Sequence, residues 1–316
     1  MPQLTIGDRT SRLPIIQGGM AVRISMAPLA TAVANAGGIG VIAGSGLGVD
    51  EFRAEVRKAR EATAGVVGVN VMVAVRKFQD LVRTAMAEGA DLVIAGAGFS
   101  RDVFSWGKEF SVPVVPIVGS VRVARLAEKF GACAVVVEGA EAGGHLGTDR
   151  PMRELLPEIV EAVDIPVIGA GGVVTGSDIK EVLDMGAAGV QMGTRFAATK
   201  ESSAPDGFKQ MYVDATPDQV VIVKSPVGLP GRALKNPFWE RTQLGEYPTL
   251  PPCKACLKEC HKEYCIINEL EIAQGGDVEN GLVFAGSAAA RIHDVPSVAE
   301  LMDRLVAEWS DAEEGA

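Results

Sequence analysis

The run Glu138-Gly139-Ala140-Glu141-Ala142-Gly143-Gly144-His145-Leu146-Gly147 sets two carboxylates and one of three histidines among flexible glycines. An imidazole titrates near pH ~6.5 when unperturbed, so it can accept or donate a proton, or steady an oxyanion, at neutral pH. A lone histidine is more often structural. Here the glycines beside it leave little bulk to bury it against, so His145 reads as a catalytic residue facing a cavity mouth. His261 and His293 read as surface or structural residues.

Two glycine turns suggest where a ligand lies. Gly169-Ala170-Gly171-Gly172-Val173 and Gln191-Met192-Gly193-Thr194-Arg195-Phe196 each continue an apolar run. Glycine lets backbone N–H groups approach phosphate oxygens, Thr194 adds a hydroxyl, and a short helix starting there would add its positive end. Either run alone is equally a tight strand-to-helix turn. Placed on the last two strands of an eight-strand count, the pair points to a phosphorylated ligand. Gly18-Gly19-Met20 fits either a surface for a flat ring or a turn at the barrel bottom. Asn70 interrupts the apolar run Val66–Val73, and a lone amide at the end of a buried strand needs partners, from a cofactor ring or a neighbouring backbone.

Four of the five cysteines, Cys253, Cys256, Cys260 and Cys265, fall at spacings of two, three and four residues. In a chain without stable disulfides such a set suggests an iron–sulfur cluster, for example 4Fe–4S, or a tetrahedral zinc site in which His261 replaces one thiolate. The alternative is reduced thiols on a helical insertion, with Cys256 and Cys260 on one face. Cys133 reads as buried packing.

These residues need elements to position them. From about Leu13 to Gly193, short β-branched runs alternate with amphipathic segments, and eight strands are expected to start at Pro14, Ile39, Val66, Asp91, Pro113, Cys133, Pro166 and Gly189. Their continuous apolar character suits strands covered on both faces. Ser25 reads as the N-cap of a helix over 25–36 closed by Gly37; Phe78, Leu81, Val82, Ala85 and Met86 make a stripe before Gly89; Ser120 precedes another carrying Val123, Leu126, Ala127 and Phe130. Eight alternations in about 180 residues suit a closed TIM-type β/α barrel better than an open doubly wound sheet. The expected division is a barrel over residues 1–196 and 282–316, with 197–281 as a Pro/Gly-rich insertion carrying the cysteines. A last helix over Ser297–Trp309 would close the ring, and Ser310–Ala316 reads as a frayed acidic tail.

The bulk numbers narrow the class. With 316 residues and 47% hydrophobic residues the chain can bury one large core. A net charge of −10 opposes attraction to nucleic acid or anionic lipid, and 5% aromatic residues do not make a base-stacking surface. No apolar run approaches the ~20 residues of a membrane span. Met1–Thr10 shows no signal-peptide pattern, and a cytoplasmic protein acting on a small molecule is expected. The composition is compatible with a homo-oligomer.

Taken in order, Pro14–Met20, Ala36–Gly40, Gly68–Asn70, Glu138–Gly147, Ala170–Val173 and Gln191–Phe196 resemble the nitronate monooxygenase (2-nitropropane dioxygenase) family and its relatives, the flavin-dependent enoyl-ACP reductases. The resemblance implies FMN at the top of the barrel and a catalytic role for His145. It implies cofactor contacts from Gly18, Gly19, Met20, Asn70, Glu138, Ala142, Gly143, Gly144, Gln191 and Met192, with Gly171, Gly172, Gly193 and Thr194 at the phosphate. In the monooxygenase branch the histidine assists oxidation of an alkyl nitronate, with electrons passing through FMN to oxygen. In the reductase branch NAD(P)H reduces FMN, which then reduces an enoyl thioester. Two departures stand out: Pro116–Ser120 offers no cation where some monooxygenases carry a lysine, and the better-known members lack the cysteine cluster.

Nitronate oxidation is the leading expectation and enoyl-thioester reduction the alternative. An acyl carrier protein is itself acidic, so a net charge of −10 disfavours that encounter unless Lys224 and Arg232 form a local basic patch. A cluster at the cysteines could pass single electrons from a donor protein to FMN. A non-catalytic flavin or iron–sulfur electron carrier is the third reading, and His145 speaks against it.

Overall fold

The structure is a computed structural model and describes residues 1–315. The chain opens with a hairpin, β1 (Leu4–Ile6) and β2 (Arg9–Ser11). It then runs through β3 (Ile15–Gln17), α1 (Ala27–Asn35), β4 (Gly40–Ala43), α2 (Val49–Ala62), β5 (Val67–Met72), α3 (Phe78–Ala87), β6 (Leu92–Gly96), α4 (Asp102–Phe110), β7 (Val114–Val118) and α5 (Val121–Phe130). Next come β8 (Val135–Glu138), a two-residue β9 (Gly144–His145), α6 (Met152–Val160), β10 (Val167–Ala170), α7 (Gly176–Asp184) and β11 (Gly189–Met192).

Eight of these strands, all but β1, β2 and β9, form one parallel sheet in the order β3-β11-β10-β8-β7-β6-β5-β4. Every expected strand start lies within two residues of the observed one. The two edge strands meet to close the barrel: Gln17 N–H donates to Ile39 O (2.9 Å), Ile39 N–H to Ile15 O (2.9 Å), and Val41 N–H to Gln17 Oε1 (3.0 Å). The inward side chains Ile16, Ile39, Val41, Leu92, Ile94, Val115, Val136 and Ile168 pack as one cluster with Leu4 and Ile6, so the N-terminal hairpin plugs one end. The barrel interior is a packed core, which leaves the strands' C-terminal ends to carry chemistry.

The helices follow their capping chemistry in part. Ser120 Oγ accepts Val123 N–H at 3.4 Å, and Gly131 (φ +95) ends α5 in the left-handed region. Ser25 differs from the expected N-cap: its hydroxyl accepts Met20 N–H (2.8 Å), while α1 starts after Met26 with no side-chain cap. A hydroxyl that serves the loop before it is unavailable to the helix after it.

Beyond β11 the chain forms α8 (Thr194–Ala197), α9 (Asp206–Val213), β12 (Val220–Val223), β13 (Gly231–Leu234), α10 (Pro237–Gln243), α11 (Ile266–Gln274) and α12 (Val298–Glu314). Helix α12 packs on α7 and α1 and completes the ring. It runs through most of the segment expected to fray, because Val306 and Trp309 still pack on the core and Lys180 reaches Glu313 at 3.3 Å; Ala316 lies outside the described residues. Ser297 and Glu300 form a capping box at its start. Ser297→Ala is expected to cost about 1 kcal/mol of stability in a denaturant titration, with no effect on the distant cavity. A change below a few tenths would show that α12 packing, not its cap, sets its start.

Candidate active site

His145 is held from two directions. Gly144 takes φ +82 and turns the chain so that β9 can pair with β13 in a three-stranded antiparallel sheet, with Gly231 opposite His145 and Arg232 opposite Gly144. Leu146 N–H donates to Pro230 O at 2.8 Å and continues the clamp. The inserted hairpin β12–β13 thus fixes the backbone that carries the imidazole.

The side chain is fixed as well. His145 Nε2 lies 2.8 Å from the hydroxyl of Ser225, itself buried. Phe284 stands edge-on to the ring, with centroids 5.2 Å apart at 70°. Tyr212, fully enclosed, donates its hydroxyl proton to Phe284 O at 2.6 Å and locks that segment. Burial pushes the His145 imidazole down to about 4, so it is neutral at physiological pH. Burial also pushes the Glu138 carboxyl up to about 7 at the end of β8. Glu141, the second carboxylate of that run, instead accepts Met152 N–H (2.9 Å) at the start of α6.

One cavity of about 230 Å³ receives all these elements. Gly18, Gly19 and Met20 after β3, Asn70 on β5, Glu138, Ala142, Gly143, Gly144 and His145 line it. So do Gly171, Gly172, Gln191, Met192, Gly193 and Thr194. Every residue expected at the catalytic or cofactor site therefore lines one cavity. Gly171 and Gly172 take φ +115 and +72, conformations in which residues with side chains would be strained. Thr194 Oγ1 accepts Gly286 N–H (2.9 Å) and keeps its own proton to donate. Gln191 Oε1 is buried with no partner among the described residues.

The sequence missed the wall supplied by the insertion. Val227, Leu257, Ile266, Ile267 and Leu270, together with Val75 after β5, make it apolar. Ser225, Phe284 and Tyr212 were also missed: Ser225-Pro226-Val227 reads locally as a loop, and nothing local predicts which residues β9 pairs with.

Two expectations are corrected. The cysteine segment is irregular backbone, not a helix, because Pro251-Pro252 precede it and Ala255 and Lys262 take φ +49 and +58. Arg232 is not part of a surface basic patch: its guanidinium turns inward and donates to Ala140 O at 2.6 and 3.2 Å. None of Cys253, Cys256, Cys260 and Cys265 lines the cavity, and all four are free. Among the described residues no three His, Cys, Asp or Glu side chains group so as to hold a metal ion, so the structure does not bring these four cysteines, with or without His261, into the expected metal site.

A closed eight-stranded β/α barrel with a neutral, anchored imidazole and glycine turns around one cavity at the strands' C-terminal ends has the architecture of a barrel enzyme. Residues 5–308 match the model of the nitronate monooxygenase family, and the chain belongs to that family of oxidoreductases. It is 35% identical, over 235 residues, to the (3aS,4S,5R,7aS)-5-hydroxy-7a-methyl-1-oxo-octahydro-1H-indene-4-carboxyl-CoA dehydrogenase of Mycobacterium tuberculosis. That match covers 73% of this chain and 66% of the relative, just under two thirds of its length. The FabK structure from Thermotoga maritima superposes with a TM-score of 0.87 at 33% identity, covering 96% of this chain and 95% of that one. Nitroalkane oxidase from Streptomyces ansochromogenes gives 0.82 at 26% identity, over 96% and 98%. Among the described residues no helix is long and apolar enough to cross a membrane.

Proposed function

We propose that this chain is an FMN-dependent oxidoreductase in which His145 handles the proton of a carbon acid held in the cavity, with an alkyl nitronate as the leading substrate class. One observation carries this: His145, both glycine turns and Gln191 all line one cavity. The residues fit FMN. Gly171, Gly172, Gly193 and Thr194 would hold its phosphate through backbone and hydroxyl donors, Gly18, Gly19, Met20 and Asn70 would lie along its ring, and the orphaned Gln191 oxygen suits an imide donor such as a flavin carries. Bound there, FMN supplies a reversible acceptor for an electron pair.

Neutral His145 can accept a proton from the substrate carbon or donate one to an oxygen of the conjugate base. Ser225 holds the imidazole at Nε2 and so keeps its ring plane fixed. Phe284 and the apolar wall exclude water, which strengthens each of these contacts. Glu138, whose carboxyl burial pushes up to about 7, is about half protonated at neutrality and in that form can donate a hydrogen bond.

A second reading, reduction of an enoyl thioester with NAD(P)H as electron source, is favoured by the apolar wall of Val75, Leu257, Ile266, Ile267 and Leu270, which suits an acyl chain better than a short nitronate. The dehydrogenase relative, named for a carboxyl-CoA substrate, supports it further. Both readings share the proton-handling imidazole.

Anaerobic addition of NADH, then NADPH, then propyl-nitronate to purified protein separates them. Bleaching of the flavin band by nitronate alone supports the first; bleaching by a nucleotide, reversed by an enoyl thioester, supports the second. Protein that takes up no flavin would overturn both. Ser225→Ala is expected to retain flavin and lower kcat about 10-fold, because the ring loses its anchor, with Ser225→Thr restoring much of the loss. An unchanged kcat and pH profile in Ser225→Ala would remove Ser225 from imidazole positioning.

A further inference from the structure

We propose that Ser225 sets the tautomer of His145, placing the ring proton on Nδ1, so that the imidazole meets its substrate as a hydrogen-bond donor to an oxygen and not as a base. This rests on the reading of the cavity proposed above and narrows it. The substrate class becomes compounds whose reacting carbon needs no deprotonation and is conjugated to an acceptor oxygen, such as a preformed nitronate or an enoyl thioester. Neutral carbon acids are excluded.

A serine hydroxyl has one proton to give and two lone pairs with which to receive. Ser225 is buried, and two polar groups reach its Oγ: Val227 N–H at 3.3 Å and His145 Nε2 at 2.8 Å. The amide can only donate. If Nε2 also donated, the hydroxyl would receive twice and its own proton would have no acceptor among the described residues. A buried donor left unmade costs more than a typical hydrogen bond gains, so the Ser225 proton goes to Nε2.

Burial keeps the imidazole neutral, which gives it one protonated and one bare nitrogen. With the Nε2 lone pair bound to Ser225, the proton sits on Nδ1. His145 lines the cavity and Ser225 does not. Nδ1 has no partner among the described residues and is not a buried atom. The ring therefore offers the cavity an N–H and no lone pair free to take a proton. Around it Phe284, Val227, Leu257 and Ile267 supply apolar surface. A donor set in such a wall orients a ligand by one oxygen while the wall takes the apolar remainder. No proton changes hands: Nδ1–H is shared with the substrate oxygen and stays on the ring, steadying the charge there as an oxyanion donor does.

The tautomer can be read directly. In the whole chain grown with isotope-labelled histidine, long-range proton–nitrogen NMR correlations distinguish the two neutral forms, and the His145 signals are those missing from His145→Ala. Nδ1 is expected to carry the proton in the parent and in Ser225→Thr, whereas Ser225→Ala is expected to shift toward the Nε2–H form. A parent ring protonated at Nε2, or a Ser225→Ala ring unchanged from the parent, would overturn the proposal. The parent spectrum decides the matter if Ser225→Ala fails to fold. The second readout is the flavin band without oxygen. Propyl-nitronate is expected to bleach it at least ~10²-fold faster than freshly dissolved neutral nitropropane, the low end of what a positioned base contributes. Bleaching by neutral nitropropane faster than it ionises in buffer would put a base in the site and defeat the donor role. Because the tautomer is read with or without flavin, yellow protein with Nε2–H defeats this inference alone, and colourless protein with Nδ1–H defeats the flavin reading alone.

Discussion

His145→Ala is expected to lower turnover about 10²- to 10⁴-fold, the usual worth of a positioned acid–base group, while the flavin content stays that of the parent. The split follows from where the imidazole sits. It lines the cavity with the glycine turns, but its own partners are Ser225 and Phe284, so its removal leaves untouched the residues proposed to hold the phosphate and ring of FMN. Native-rate turnover by the variant would take the imidazole out of the chemistry. The parent's own rate should hold down to acidic pH, because a base with a folded value of about 4 stays neutral far below pH ~6.5.

The same two buried groups set a stability profile in the flavin-free protein. His145 titrates near 4 when folded and near 6.5 when unfolded, so its contribution is present above pH 6.5 and is lost as pH falls toward 4. Glu138 titrates near 7 when folded against 4.5 unfolded, so its contribution is present below pH 4.5 and is lost as pH rises through 7. Between about pH 4.5 and 6.5 the slopes oppose, each at most ~1.4 kcal/mol per pH unit. In His145→Ala only the Glu138 slope remains, so denaturant titrations should show the variant losing stability from pH 4.5 to 7 while the parent changes little. A parent with the same slope as the variant would mean that the imidazole is not held neutral by burial.

What the sequence reveals here depends on how local the determinants are. Each barrel strand announces itself, because a strand covered on both faces must be apolar throughout: Val135-Val136-Val137 and Val114-Val115 leave few other readings. The glycine turns are legible for a related reason, since a chain brought close to a ligand needs residues without side chains. Ser225, Tyr212 and Phe284 are not legible. Each is placed by contacts distant in sequence: Ser225 meets His145 across 80 positions, Phe284 bridges to Ala233 of β13, and Tyr212 of α9 reaches Phe284 O across 72. Ser25 misled because a serine before a helix has two good uses, and the loop claimed it. The cysteines declared their clustering by spacing, but their backbone was fixed by contacts with the loop after β5 that no local pattern encodes.

Gly19→Ala is expected to weaken binding of the proposed FMN at least 10-fold. A Cβ built on Gly19 would lie 2.3 Å from Asn70 Cβ and 2.9 Å from Asn70 Cγ, closer than real side chains approach. Neither side can yield cheaply. Asn70 is central in β5, opposite Ile94 on β6 and Ala43 on β4, and Gly44 N–H donates to its carbonyl at 2.8 Å. The Gly18–Met20 loop is tied by Gly18 N–H to Met192 O (2.9 Å) and by Met20 N–H to Ser25 Oγ (2.8 Å). The clash must therefore push the loop or the amide into the cavity that both line, costing about 1–3 kcal/mol of stability as overpacking and at least 10-fold in flavin affinity. Gly207→Ala is the matched control: its Cβ meets nothing within 4 Å, it lies in α9, and alanine there should leave flavin binding unchanged and gain up to about 1 kcal/mol. Flavin titration of both variants reads the difference, and a Gly19→Ala protein that binds flavin as tightly as Gly207→Ala would show that the Gly19–Asn70 contact is no part of the cofactor seat.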